Sequence, residues 1–418
     1  MTLPLTVTPT EVRRLALEVH RLGAERAPAT AEGILRVVRE LGALQLDASN
    51  AVAPGERLVL FSRIGAYDGR LLDRLLWQDR ALFEYFAHAA SIVPASDFPL
   101  HRVLMRSWAT GGSAWDRRVQ SWMEANQPLR TSILTRLAAE GPRRTGDFEF
   151  VAGPPWQTTA WPIARNVDRM LEFLWIQGAI VPAGRWRTQR VWDLIERWLP
   201  DEVAARQPPD DQLTRDAVER SLRSLGVATA RHIDANFIRY RYPGLADVLR
   251  SLETDGRIVR ARVTTALVEP AWPGTWWLHA DDLPLLRRIR EAGHEWTGRT
   301  ALITALDNLI ADRQRAERVF GLRFRQTPFV PKRMRAEATS VLPIVDGDRF
   351  LGRVDARYDR SEGALVIASL RLEPNAPRTA AVAARVRAAF EELGSFLGAE
   401  RIRVDAAFPD RWRRTMAR

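Results

Sequence analysis

Cysteine is absent from this chain of 418 residues. Its absence excludes disulfide bonds, thiolate zinc sites, iron–sulfur clusters and cysteine nucleophiles. The six histidines are scattered along the chain, without the His-x-x-x-His type of spacing that places two ligands on one metal ion. We therefore expect neither a metal ion nor any other cofactor.

Lysine is almost absent too, because Lys332 is the single lysine among 62 basic residues. The arginines give the chain a formal net charge of +11 and a pI near 10.9. Surplus positive charge suits a polyanionic partner, with DNA or RNA first among them. The preference for arginine over lysine is also what codon bias in a GC-rich genome produces, so charge alone leaves both interpretations open.

Long hydrophobic runs are missing as well. No stretch approaches the roughly 18 uninterrupted apolar residues of a membrane span. The N-terminus lacks the basic segment and apolar run of a signal peptide. The sequence therefore predicts a cytoplasmic protein without a membrane partner. With one domain per about 150 residues, its length predicts two to four domains.

Short amphipathic helices, a glycine and then a strand occur three times along the chain. Two or three short helices followed by a β-hairpin are typical of the winged helix, whose last helix commonly enters the DNA major groove. A generic helix-rich protein is the alternative. The three glycines are Gly42, Gly178 and Gly256. Gly42 directly follows the last apolar position of its helix, whereas Gly178 and Gly256 lie four residues past the last apolar positions of theirs.

The later part of the chain predicts antiparallel β-structure, because residues 319–330 and 341–370 alternate apolar and polar positions. A final helix is expected at about 380–397. The predicted fold is thus α+β and helix-rich, with three tandem winged-helix domains followed by a C-terminal antiparallel β-barrel-like domain. We expect the domains at residues 1–125, 126–206, 207–265 and 266–418, with a linker at 207–211.

Gln45 and Asp47 lie two positions apart in the strand predicted at residues 43–47. Side chains two apart point to the same side of a strand, roughly 6.5–7 Å from each other. Leu44 and Leu46 would then face the core. An amide and a carboxylate on the other side can hold one water molecule, which the amide orients and the carboxylate deprotonates. By comparison with the other copies, we expect this to be a wing strand. A solvated strand face is the alternative that the pattern leaves open.

The stretch Leu41–Asn50 resembles the signature of the YcaQ/AlkZ family of winged-helix DNA glycosylases. Further blocks resemble the family in the same order, so the similarity extends over most of the chain. The family often has a tryptophan at the position of Ala311 and aromatic residues at 336–340, and the chain departs from it there. The further blocks are Phe61–Tyr67, Leu71–Leu76, Phe83–Pro94, Leu306–Arg313, Glu317–Gly321 and Gly347–Asp355.

The resemblance implies excision of N7-alkylated purines, including those within interstrand crosslinks, from double-stranded DNA. Gln45 and Asp47 fall on the positions of the family's catalytic Gln-x-Asp or Gln-x-Gln pair. The Gln-x-Asp form of the pair points to the family's glycosylases of the broader, housekeeping type. An N7-alkylated guanine already carries positive charge, so its base can leave without a general acid. A lyase step through a Schiff base would need an amine. Because Lys332 lies far along the chain, we expect hydrolysis without strand cleavage.

Several further residues are candidate DNA contacts. Arg63 could bind a phosphate, with an ordinary surface arginine as the alternative. His88 could contact phosphate near the site, with a structural histidine as the alternative, and Ser91 belongs to the same block. Basic residues and Trp186 on the second predicted wing suit a nucleic-acid backbone. These wing candidates are Arg185, Arg187 and Arg190.

A non-catalytic winged-helix DNA-binding protein, such as a transcription regulator, is the competing interpretation. Winged helices serve that role often, and a fold alone does not decide function. We expect the protein to be a bacterial monomer that associates with the nucleoid when it acts.

Overall fold

The computed structural model describes most of the chain. His88, Lys332 and residues 336–340 fall outside the described part, so the expectations placed on them stay predictions. Within the described part, no helix is both long and apolar enough to cross a membrane. The described residues are 4–47, 51–87, 89–148, 151, 153–156, 166–187, 189–238, 241–264, 271–323, 341–405, 408, 409, 412 and 415.

Helices account for much of the described chain. In chain order they are α1 (Pro9–Val19), α2 (Ala31–Leu41), α3 (Gly55–Ile64), α4 (Gly69–Trp77), α5 (Phe98–Ser107), α6 (Ala114–Ala125), α7 (Gln127–Glu140), α8 (Asn166–Ile176), α9 (Ile195–Trp198), α10 (Asp201–Ala204), α11 (Asp210–Leu225), α12 (Ala230–Asp234), α13 (Leu245–Thr254), α14 (Leu283–Ala292), α15 (Arg313–Phe320) and α16 (Ala380–Leu397).

The strands are mostly short. In chain order they are β1 (Leu5–Val7), β2 (Leu44–Gln45), β3 (Leu82–Phe86), β4 (Ala90–Pro94), β5 (Arg143–Arg144), β6 (Ile180–Trp186), β7 (Gln189–Leu194), β8 (Val227–Thr229), β9 (Ile258–Val263), β10 (Trp276–His279), β11 (Thr300–Leu302), β12 (Val341–Asp346), β13 (Arg349–Asp359), β14 (Ala364–Leu372) and β15 (Arg401–Val404).

The chain forms two compact units, one of residues 1–72 with 214–418 and the other of residues 73–213. The first unit is discontinuous because β1 pairs in parallel with β9, far along the chain. In addition, α1 contributes Ala16 and Leu17 to an apolar core with Ile303 and Val345. These units differ from the four consecutive domains expected from the sequence, since the N-terminal segment completes a core built mainly by the C-terminal half.

Among the described residues, one order of elements occurs three times: helix, strand, helix, helix, hairpin. The first copy is α2, β2, α3, α4 and the hairpin β3–β4. The second is α7, β5, a 3₁₀ turn at Thr145–Asp147, α8 and β6–β7, with β5 paired to β7. The third is α11, β8, α12, α13 and β9–β10, with β8 paired to β10.

This order corrects the expectation that Gln45 lies on a wing. β2 follows the first helix of its copy and is therefore equivalent to β5 and β8, whereas the wing of that copy is β3–β4. The glycines agree with this assignment, because Gly42, Gly141 and Gly226 each end the first helix of their copy, with φ of 84°, 78° and 75°. Gly178 and Gly256 instead follow the third helices.

The C-terminal part of the first unit is a curled, open sheet in the order β11-β12-β13-β14-β15. The register shifts between Ile344 and Val345 and again between Asp355 and Ala356, and such bulges bend a sheet. The sheet is a half-barrel with α16 packed on its apolar face. It is not wholly antiparallel, because β15 pairs in parallel with β14.

The strand expected at residues 319–330 is wrong over its first residues. α15 covers Arg313–Phe320, because the Asp312 side chain accepts from the N–H groups of Gln314 and Arg315 and Gly321 ends the helix with φ 69°. Caps of this kind favour a helix where apolar alternation alone suggests a strand.

Candidate functional site

A tight turn carries the chain from α2 into β2. The N–H of Gly42 donates to the Val38 carbonyl, and its φ of 84° lies in the region that side chains rarely adopt. A Cβ atom at this position would also lie only 3.1 Å from the Phe237 ring. The backbone conformation therefore requires glycine just before Gln45 and Asp47, and the close packing of Phe237 favours it as well.

Gln45 and Asp47 are both half-buried, and Leu44 beside them is fully buried. β2 is shorter than expected, covering residues 44–45, and Leu46 is half-buried where we expected a core residue. The strict alternation predicted over 43–47 is therefore only partly formed. Asp47 lies just beyond the end of the strand.

The first turn of α3 packs against this pair. A Cβ atom added to Gly55 would lie 3.1 Å from the Asp47 Cβ, and 3.9 Å from both the Asp47 Oδ2 and the Gln45 carbonyl oxygen. The first N–H groups of a helix have no partner within it and give that end a partial positive charge. Asp47 is thus next to a helix end that favours a negative charge.

Arg63 is a correction to the predicted DNA contacts. It lies in the last turn of α3 and is completely buried, as is its partner Asp307. Its Nη2 donates to Asp307 Oδ1 at 2.7 Å, its Nη1 donates to Oδ2, and its Nε donates to the His20 carbonyl. A side chain enclosed in this way is neither a phosphate contact nor a surface arginine.

Ser91 is also buried, so it is not available to DNA in this structure. It lies on β4, and its hydroxyl donates to the Ala89 carbonyl at 3.0 Å. His88 falls outside the described residues, so its proposed phosphate contact stays a prediction. The burial of Ser91 follows from its place in the β3–β4 pairing opposite Tyr85.

Arg185 and Arg190 share one carboxylate on the second unit. Glu84 is almost fully buried and accepts from both arginines, with 3.3 Å between its Oε2 and the Arg190 Nε. The Arg190 guanidinium also lies 4.4 Å from the Trp175 ring centroid. Burial lowers the pKa of Arg190, and the charge of Glu84 opposes that shift. Sequence reasoning missed Glu84, which is distant from the wing along the chain.

The tip of the second wing is more open. Trp186 is 43% exposed, and the guanidinium carbons of Arg144 and Arg187 lie 4.6 and 4.9 Å from its ring centroid. Arg144 is paired with Asp147, and Arg187 is exposed. Of the three wing arginines, Arg187 is therefore the one whose charge is most accessible to a binding partner.

Arg185 and Arg190 also line a cavity of about 610 Å³ within the second unit. Phe86, Trp175 and Trp192 give it aromatic walls. The two arginines thus belong to a concave, aromatic surface, whereas Trp186 and Arg187 belong to the hairpin tip.

A family model described as "DNA glycosylase AlkZ-like" matches residues 38–396. The chain belongs to the AlkZ-like DNA glycosylase family. The match includes Gln45, Asp47 and strands β11 to β14 of the C-terminal sheet, in agreement with the resemblance found in the sequence. Membership in this family supports an enzyme that acts as a DNA glycosylase in DNA repair, with DNA as its substrate.

The solved structure of the Streptomyces sahachiroi DNA glycosylase AlkZ has a similar fold. The two chains share 15% sequence identity with a TM-score of 0.62, and the match covers 96% of this chain and all of that one. At this identity the likeness shows the fold, and it does so across both compact units of this AlkZ-like protein.

Proposed function

We propose that this AlkZ-like protein is a monofunctional DNA glycosylase that hydrolyses the N-glycosidic bond of N7-alkylated purines, including bulky adducts and interstrand crosslinks. The observation that carries the proposal is the half-buried pair Gln45 and Asp47 against the first turn of α3. The pair provides an amide and a carboxylate near the protein surface, on the segment that the family model matches.

The chemistry needs no general acid. An N7-alkylated guanine is cationic, so its base departs as a neutral molecule when the bond to C1′ breaks. The sugar then develops oxocarbenium character, which a carboxylate stabilises, as in sugar hydrolysis generally. Asp47 fills that role and accepts the proton of the attacking water, while the Gln45 amide orients the water.

The three copies of the helix, strand, helix, helix and hairpin order fit three winged-helix modules, and the pairing of β5 with β7 and of β8 with β10 supports this for the second and third. The wing of the second copy supplies the DNA contacts in this proposal. Arg187 binds phosphate and Trp186 packs on the DNA. Arg185 and Arg190, the cross-strand pair beside Trp186 and Gln189, hold this end of the hairpin through Glu84.

Replacing Arg187 by alanine should weaken DNA binding and flatten its salt dependence. One lost phosphate contact should reduce the slope of log K against log salt by about 0.9. Fluorescence anisotropy with a labelled duplex at several salt concentrations measures this slope. Arg401→Ala removes the same charge from β15, where Arg401 pairs with Glu362, and should leave the slope unchanged. Equal slopes for wild type and Arg187→Ala would remove Arg187 from the interface.

The activity is tested with a duplex that carries one N7-methylguanine and with a nitrogen-mustard crosslinked duplex. Wild-type protein should produce abasic sites that break only after alkali treatment. Breaks without alkali would indicate a lyase and contradict the monofunctional assignment. DNA binding without abasic sites on either duplex would favour the non-catalytic regulator instead.

The monomeric state and the cellular location stay predictions.

A further inference from the structure

Asn308 connects the C-terminal half of the chain to the segment that carries Gln45 and Asp47. Its side-chain Nδ2 donates to the Leu41 carbonyl at 3.3 Å and to the Ala43 carbonyl at 2.9 Å. These two carbonyls lie on either side of Gly42, at the turn from α2 into β2. The last carbonyls of a helix have no partner within it, so the amide satisfies groups that the turn leaves open.

Asn308 is itself held in a rigid place. The preceding residue, Asp307, is fully buried, accepts from Arg63 on α3 and also accepts from the N–H of Leu309. Leu309 and Ile310, which follow Asn308 in a 3₁₀ turn, are buried in the core. The pair Asp307–Asn308 therefore joins two elements of the site, α3 through its Asp307 ion pair and the start of β2 through the Asn308 amide.

We propose that Asn308 is a positioning residue for base excision, acting on Gln45 and Asp47 through the backbone of the α2–β2 turn. The Ala43 carbonyl belongs to the peptide plane that leads into Leu44, one residue before Gln45. Fixing that plane fixes the direction in which β2 leaves the turn, and so the distance of Asp47 from Gly55 on α3. A misplacement of about 1 Å at a reacting centre costs on the order of 10²-fold in rate. This inference rests on the proposed function.

The test compares Asn308→Ala and the isosteric Asn308→Asp with wild type on a duplex containing N7-methylguanine, with protein in excess. Asn166→Ala is the matched control, since the Asn166 side chain also donates to two backbone carbonyls, those of Gly153 and Pro154, but lies in the other unit. Three quantities are measured: the single-turnover rate constant, the reaction amplitude and the dissociation constant for the duplex.

Both Asn308 variants should lower the rate constant by about 10- to 100-fold, with amplitude and dissociation constant within about twofold of wild type. Asn308→Asp keeps the side-chain volume but places a carboxylate oxygen, which only accepts, against the carbonyl oxygens of Leu41 and Ala43. The aspartate variant should therefore react no faster than Asn308→Ala. Asn166→Ala should retain the wild-type rate constant.

A reduced amplitude with an unchanged rate constant would mean that Asn308 serves folding alone, and it would overturn the inference. Wild-type rate constants in both Asn308 variants would overturn it too, while leaving the proposed function intact. Should wild type itself release no base, the proposed function fails and this inference fails with it. If the alanine variant does not fold, the isosteric aspartate variant decides the same question.

Discussion

Replacing Asp47 by asparagine should lower the rate of N7-methylguanine release by about 10²- to 10⁴-fold, the range of one general base. Asparagine has nearly the same shape but no charge, so it neither stabilises a cationic sugar nor accepts the proton of the attacking water. The rate is measured under single-turnover conditions, so that slow product release does not mask the chemical step.

A measurement of the affinity for DNA distinguishes a loss of catalysis from a loss of DNA binding. Asp47→Asn removes one negative charge and should bind the damaged duplex at least as tightly as wild type. Asp405→Asn is the matched control, because it makes the same change at an exposed position just after β15, where Asp405 pairs with Arg403. An Asp47→Asn protein that kept the wild-type rate would contradict the assignment of this residue.

Replacing Arg63 by methionine should destabilise the first unit by about 3–5 kcal/mol, the usual cost of breaking a buried ion pair from one side. Neither Arg63 nor Asp307 is exposed, so the variant leaves the Asp307 carboxylate buried without its cation. Chemical denaturation followed by tryptophan fluorescence measures the change in the free energy of unfolding.

Two comparisons sharpen this prediction. Arg250→Met breaks an exposed pair on α13 and should cost less than about 1 kcal/mol. The double variant with Arg63→Met and Asp307→Leu should recover part of the stability lost by Arg63→Met alone, because neither charge of this buried pair is then left without its partner. A cost for Arg63→Met no larger than that of Arg250→Met would show that the buried pair is not important for the fold.

The local elements of the fold could largely be predicted from the sequence. Thr8 and Glu11 have the spacing of a capping box in the sequence, and both hydrogen bonds of that box are formed at the start of α1. The turn signals at 346–348 and 362–363 lie where β12 turns into β13 and β13 into β14, and the final helix lies at the predicted 380–397. Caps, turns and periodicity act within a few residues, and these are the signals that a single sequence contains.

Pairings between distant segments could not be predicted. Nothing in the sequence near Leu5–Val7 indicates that this strand pairs with β9, and nothing near Arg401–Val404 indicates a parallel partner. The burial of Arg63 has the same origin, because it depends on Asp307, which lies 244 positions along the chain. A charged residue is predicted to be exposed until its partner is known.

The place of Gln45 in its module could not be found from the spacing of the glycines alone. Gly42 directly follows the last apolar position of its helix, whereas Gly178 and Gly256 lie four residues past theirs. Gly141, which ends the first helix of the second copy, also lies four residues past its last buried apolar position, Leu137, so this spacing does not separate a strand after the first helix of a module from a strand after its third. Gln45 and Asp47 lie on a segment that packs against the first turn of α3, and that segment is not the wing.

The central chemical claim is that an amide and one carboxylate suffice because the leaving base is already cationic. It is tested most directly by measuring free base from two matched duplexes, one containing N7-methylguanine and the other its uncharged isostere 7-methyl-7-deazaguanine. The account predicts release of N7-methylguanine and no release of the deaza base, although both duplexes bind equally. Equal release from the two duplexes, or no release of N7-methylguanine, would contradict it.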